Sequence, residues 1–285
     1  MAKVRNDWPI RQLIDMKASE LRVNARIGES FEAINSELDS PTRLEFGTYS
    51  HDSLSLSRSI GLQSVTAFHD GETDRAWQLI NRSLQYNLAS FQVAAAMGFP
   101  RAGWCDANHA CLLLATAISL QSRPVATWLA KLITGHYAAG GPLRDWEVSP
   151  FEPLMVHLAG GVEGGRPLRV EPSEYLPGFY DGLVEAESAE DAQRELDRLV
   201  VERVRLVSPS FADYPPFEWS PFDLFPVDLL AILMVNHSGI PRFDFGPLES
   251  PLCDPPLPFP FEPEPLARRV LERVAEQHEV PDVSW

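Results

Sequence analysis

Three places in the sequence bring together residue types that can do chemistry. The first is His237-Ser238-Gly239, which closes the apolar stretch FPVDLLAILMVNHSGI (225–240). A serine nucleophile beside its base would need Gly-x-Ser-x-Gly on a strand-to-helix turn. Here the serine follows a helical run, and the flanking glycine pattern is absent. Gly239 suits a left-handed helix ending, and His237 in a last helical turn suits the helix dipole. The triplet therefore reads as the end of a buried helix. The second place is His109 with Cys111. Two apart on a helix, they face different sides and do not easily ligate one metal. No Cys-x-x-Cys or His-Glu-x-x-His pattern exists elsewhere. The third is Cys105, just before a helix, where a thiolate could be activated. No histidine is placed to serve it as a base. GGVEGG (160–165) lacks Gly-Lys-Ser/Thr and puts an acid where phosphates would lie. No catalytic residue is assigned. The chain is expected to be no enzyme and to need no metal or cofactor.

The elements that would position these residues are helical. Ile10, Leu13, Ile14, Leu21, Ile27, Phe31, Ile34 and Leu38 follow helical spacing, and Ser40-Pro41 ends that run. A second helix is expected over 52–68. The turn HDGETD (69–74) leads to a third, with Trp77, Ile80, Leu84, Leu88 and Phe91 on one face, stopped by Gly98-Phe99-Pro100. The helix over 107–120 is apolar nearly all round and should be central. Ser122-Arg123-Pro124 links it to a helix ending near Ala138, with Pro124 in its first turn. Further helices are expected over 151–158, 175–186, 188–207 and 227–236, with a last one carrying Leu266, Val270, Leu271 and Val274. Ser188 and Asp191 resemble a capping box, and Glu190 with Arg194 and Arg198 with Glu202 have helix-pair spacing. No strand alternation and no fixed residue repeat stand out. The expected fold is all-α: stacked antiparallel helical hairpins, solenoid-like or an irregular bundle, with Pro-rich loops in the second half. One domain is expected over 1–285.

Charge and proline divide the chain. Residues 1–142 hold 13 Lys+Arg and 13 Asp+Glu, whereas 143–285 hold 11 and 27, so the whole net charge of -16 falls in the second part. Five of the 25 prolines precede position 143. An acidic half repels nucleic acid and anionic membrane and speeds encounter with a basic partner. The start MAKVRNDWPIRQLIDMKASE is charged and has no apolar core of a signal peptide. The longest apolar run, ACLLLATAISL (110–120), is too short to span a bilayer. Three cysteines fit a reducing compartment, and a cytoplasmic location is expected.

One segment mixes anchors with acids. Phe211, Asp213, Tyr214, Phe217, Glu218, Trp219, Phe222, Asp223 and Phe225 fall within fifteen positions. Aromatic residues anchor interfaces, and carboxylates between them suit Arg and Lys on a partner. Asp213, Tyr214, Phe217, Glu218, Trp219 and Asp223 are candidate partner-binding residues, and Glu187, Glu190 and Asp191 on the preceding helix are the next.

RAWQLINRSLQYNLASFQVAAAMG (75–98) is followed by further helical hairpins. In FPVDLLAILMVNHSGIPRFDFGPLESPL (225–252), Asp228 opens an apolar helix, Gly239 ends it and a Pro-Leu segment follows. On these stretches and on its size, the chain resembles the immunity protein 49 family of bacterial polymorphic toxin systems over about 50–255. The long Pro-rich stretch near the end departs from that pattern. The resemblance implies an all-helical protein that binds and blocks a cognate toxin, and it carries no catalytic residues. A basic toxin fits the charge. A helical-repeat adaptor or regulator binding a peptide or protein is the alternative.

Overall fold

Two chain reversals fifty residues apart, at Gly71 and Gln121, organise the helices around them. The computed structural model describes residues 20–40, 46–98, 107–139, 151–162, 178–207, 225–237, 243–255 and 259–285. Among the described residues there are ten α-helices, two 3-10 turns and no strand. The helices are α1 Glu20–Leu38, α2 Phe46–His69, α3 Thr73–Ala96, α4 Ala107–Ser119, α5 Arg123–Ala138, α6 Phe151–Val162, α7 Asp181–Val184, α8 Ala189–Val207, α9 Val227–Asn236 and α10 Pro265–Ala275. The all-α class is the class observed. The chain forms two compact units. One is built on 111–259, the other on 13–110 together with 260–285.

The two reversals share one geometry. At the end of α2, Glu72 N–H bonds the Ala67 carbonyl at 2.8 Å and Gly71 N–H bonds that of Phe68 at 3.0 Å, with Gly71 at φ +80°. At the end of α4, Ser122 N–H bonds the Ala117 carbonyl at 2.9 Å and Gln121 N–H that of Ile118 at 3.0 Å, with Gln121 at φ +55°. Both are Schellman endings, which return the chain with one left-handed residue. Thr66 and Thr116 stand at the same step before each turn and donate Oγ1 to Leu62 and Leu112 carbonyls. Ala76 and Ala126, then Leu79 and Leu129, are buried at equal steps into the following helices. The repeat is one of turn geometry with few matching residues, so no residue-by-residue repeat is legible.

In the second unit, α2 and α3 lie antiparallel on a polar seam. Ser90 donates Oγ to the Ser50 carbonyl at 2.8 Å, and Ser83 to the Ser57 carbonyl at 2.7 Å. The register implied by those pairs sets Ser53 opposite Asn87 between them, and both are buried. Small hydroxyl residues let the helix axes approach closely. They also hide the buried face from apolar periodicity, which is why the expected start at 52 falls after the observed start at Phe46. Ile34, Tyr49, Leu56, Ile60, Leu79, Tyr86, Val93, Leu266, Val270 and Val274 form one apolar cluster from α1, α2, α3 and α10. Glu264, just before α10, accepts from Tyr86 Oη at 2.8 Å and Arg82 Nε at 3.2 Å. Burial, reinforced by that hydrogen bond, pushes the Tyr86 hydroxyl far above its usual range.

In the first unit, α5 packs on α6, and α8 packs on α7 and on the 3-10 turn Gly246–Leu248. Ala192, Leu196, Leu199 and Val200 are the buried stripe of α8, as its spacing predicts. The helix expected over 175–186 is shorter. Gly178 at φ +71° turns the chain and α7 spans one turn, Asp181–Val184. α6 runs past 158 through Gly160 and Gly161 to Val162. The expected extended stretch near the end holds two 3-10 turns, Gly246–Leu248 and Pro251–Cys253, each with proline at its start, where a missing N–H costs nothing.

Candidate interaction site

The first turn of α8 is fixed by its own side chains. Asp191 N–H donates to Ser188 Oγ at 3.1 Å, and that hydroxyl donates to Asp191 Oδ2 at 2.6 Å. Arg194 Nη2 donates to Asp191 Oδ1 at 2.6 Å. The Ser188 hydrogen bond, with the Arg194 charge, holds the Asp191 carboxyl below its ordinary value. This is the expected capping box, and it commits Asp191 to the helix end. Arg194 pairs with Asp191 in place of the expected Glu190. Arg198 pairs with Glu195 at 2.8 Å and also donates to the Phe179 carbonyl at 3.0 Å.

Glu187 and Glu190 are exposed, and so are Asp181 and Glu185 on the approach to them. No Lys or Arg interrupts residues 178–193. The corner between α7 and α8 therefore presents four outward carboxylates with no basic residue in the same stretch.

Beneath this corner lies a buried charged network. Arg203 and Asp228 are both 0% exposed. Arg203 Nε donates to Asp228 Oδ1 at 3.2 Å, Tyr180 Oη donates to Asp228 Oδ2 at 2.7 Å, and Arg203 Nη2 donates to the Phe225 carbonyl at 3.0 Å. Burial first, then the Asp228 charge and hydrogen bond, keeps Tyr180 protonated well above its ordinary range. The phenol is thus a fixed donor, and the network holds elements together. It joins the turn before α7, the end of α8 and the start of α9. The chain between Arg203 and Phe225 leaves and returns at one buried contact. Asp213, Tyr214, Phe217, Glu218, Trp219 and Asp223 fall within that stretch and lie outside the described residues.

Tyr180, Arg203 and Asp228 were not singled out from the sequence as a set. Two signals point to them. Arg203 falls on the inner stripe of α8, in step with Leu196, Leu199 and Val200. Asp228 sits inside the apolar run PVDLLAILM. A charge in each of two buried faces implies that they meet.

Of the chemical candidates, His237, His109 and Cys111 lie among the described residues. α9 ends at Asn236, and His237 N–H caps the Leu233 carbonyl at 2.8 Å. The His237 ring is buried, edge-on to Phe243 with centroids 6.2 Å apart. Ser238, Gly239 and Cys105 lie outside the described residues. His109 Nε2 meets the Arg58 guanidinium. Cys111 is fully buried. Burial pushes the Cys253 thiol up to about 11, leaving it protonated at neutral pH. Among the described residues no group of three or more His, Cys, Asp or Glu is placed to hold a metal ion, and no helix is long and apolar enough to cross a membrane.

The fold redistributes the charge seen along the sequence. Residues 111–259 hold 10 Lys+Arg and 21 Asp+Glu, a net of -11, whereas 13–110 with 260–285 hold 11 and 18, a net of -7. The acids of the second half are therefore shared between the units, because the last 26 residues belong with the first half of the chain. No family model, curated protein or solved structure matches the chain.

Proposed function

We propose that this chain is an immunity-type protein, a stoichiometric inhibitor that binds a basic bacterial toxin and acts without catalysis. The observation that carries the reading is the run of exposed carboxylates at Asp181, Glu185, Glu187 and Glu190, unbroken by any base and seated on a rigid buried network. Such a surface steers a basic partner and raises the rate of encounter. Toxins that cleave nucleic acid are commonly basic, since phosphate binding needs Lys and Arg. Glu187 and Glu190 are the contact residues of this proposal. Asp191 is already used by the helix cap and contributes charge alone. Tyr214 and Trp219 are proposed as anchors on the sequence pattern of 208–226, with Asp213, Phe217, Glu218 and Asp223 around them. The toxin identity rests on the resemblance to the immunity protein 49 family.

The test is co-expression with the product of the neighbouring gene, followed by binding kinetics on the purified pair. A one-to-one complex is expected. Its association rate should fall with added salt over a Debye length of about 8–10 Å. The combined change Glu185→Gln, Glu187→Gln, Glu190→Gln should lower the association rate several-fold at low salt and leave dissociation little altered. An association rate indifferent to both salt and the triple change would remove this face from the proposal.

A further inference from the structure

Residues on both sides of α10 return to α3, and α3 holds them by their main chain. Asn81 Nδ2 donates to the Glu262 carbonyl at 2.9 Å and Asn81 Oδ1 accepts the Glu262 N–H at 3.1 Å. About three helical turns further along, Gln92 Nε2 donates to two carbonyls of the segment 279–285, Pro281 at 2.7 Å and Val283 at 2.9 Å. The segment bends there, since Val283 N–H closes onto the Pro281 carbonyl at 3.1 Å. Trp285 then stacks on Phe261, centroids 4.9 Å apart, and donates Nε1–H to the Leu84 carbonyl of α3 at 3.0 Å.

Seat and strap differ in how firmly they are built. α3 is buried almost without interruption from Leu79 to Ala94, and Gln92 is 4% exposed with its amide aimed at the strap. In the strap no side chain is fully buried. Val280, Pro281, Val283 and Trp285 are half-buried, and Glu279, Asp282 and Ser284 are exposed. A segment that buries so little apolar area opens at the low end of the free-energy range, while the helix below keeps its form. What it would uncover is an amide that reads carbonyls and a helix carbonyl that takes an indole N–H beside Phe261. Those groups select a short turned peptide, not one particular chain.

We propose that this face of α3 is a docking site for a partner's peptide segment, one offering two carbonyls two residues apart and a tryptophan two positions on. Residues 279–285 occupy it in cis. The tether supplies the cis segment at a high effective concentration, so a free peptide competes poorly until the strap is weakened. The proposal does not depend on the toxin reading, whose acids lie on the other unit.

The experiment uses the full chain and a labelled, amidated peptide of sequence EVPDVSW, followed by fluorescence anisotropy. Wild-type protein should bind it weakly. Trp285→Ala should bind it at micromolar concentration, and adding Gln92→Ala should weaken that binding about tenfold or more, as loss of a buried interface donor does. A peptide with alanine for its tryptophan should not bind. Should Trp285→Ala lose its cooperative unfolding transition, Trp285→Phe keeps the ring stack, removes the N–H donor and should bind the peptide at an intermediate level. A folded Trp285 variant that binds no peptide overturns the proposal, and so does binding indifferent to Gln92→Ala. A dimer of the wild type that dissociates on Trp285→Ala also overturns it, because the seat's occupant would then be the strap of a second copy.

Discussion

The two units bury polarity in opposite ways. The α2–α3 seam is neutral, with Ser50, Ser57, Ser83 and Ser90 bonding each other's hydroxyls and carbonyls across two packed helices. The α8–α9 contact is ionic, with Arg203 and Asp228 held entirely out of water. A neutral rung gains little and risks little, because a hydroxyl can turn toward another acceptor. A buried ion pair is all-or-none. Its Coulomb attraction roughly offsets the desolvation of both charges, and loss of either partner strands the other. The seam therefore specifies close approach, and the ion pair specifies which elements meet.

The largest expected effect follows from that contrast. Asp228→Ala should destabilise the protein by about 3–5 kcal/mol, since the Arg203 charge stays buried without its carboxylate. The combined change Arg203→Met, Asp228→Leu should recover most of the loss, because similar apolar volume replaces two desolvated charges. Tyr180→Phe should cost about 1.5–3 kcal/mol, the range for a hydrogen bond to a charged group. Denaturant unfolding of the four proteins checks the order. A double variant no more stable than Asp228→Ala would mean that the network is worth more than a matched apolar contact.

The seam should answer more quietly, and unevenly. Ser83→Ala removes a 2.7 Å bond to the Ser57 carbonyl and should cost about 1 kcal/mol. Ser53 is 0% exposed, and among the described residues its Oγ has no hydrogen-bond partner. Ser53→Ala should therefore be neutral or stabilising, since it removes a buried hydroxyl whose desolvation nothing offsets. Equal losses at 53 and 83 would show that the central rung is satisfied in solution, by water or by a turned Asn87.

How much of this was legible follows the same divide. Where the buried face is apolar, the sequence placed helices closely. The expected 227–236 is observed as Val227–Asn236, and the expected 188–207 as Ala189–Val207. Where the buried face is serine, the start of α2 was set six residues late, because periodicity counts only apolar contacts. The capping box at Ser188 was legible, since it needs three consecutive steps of one chain. The Arg203, Asp228 and Tyr180 network was not, since it joins residues 25 and 48 positions apart. Of the candidate partner residues, Glu187 and Glu190 are outward and, among the described residues, in no ion pair, and Asp191 is spent on the cap. Charge along the chain also misleads about charge in space. The acidic residues after 259 fold back with the charge-balanced half.

The smallest expected effect compares the two reversals themselves. Gly71 and Gln121 hold the same position in the same motif, and both are left-handed. An L-residue pays roughly 1–2 kcal/mol for that conformation, whereas glycine adopts it freely but loses more chain entropy on folding, roughly 0.5–1 kcal/mol. The difference leaves a net preference for glycine of about 0.5 kcal/mol. Gln121 is exposed, and among the described residues its side chain makes no hydrogen bond or ion pair, so Gln121→Gly should stabilise by about that amount. A Cβ at Gly71 would meet nothing within 4 Å, so Gly71→Ala should cost a similar amount with no steric part. The pair is a mirror experiment, with equal size and opposite sign. Thermal melts should move by about 1–2 °C in opposite directions. Shifts of the same sign would show that the turns are not equivalent, and that a side chain at one of them does more than set the backbone.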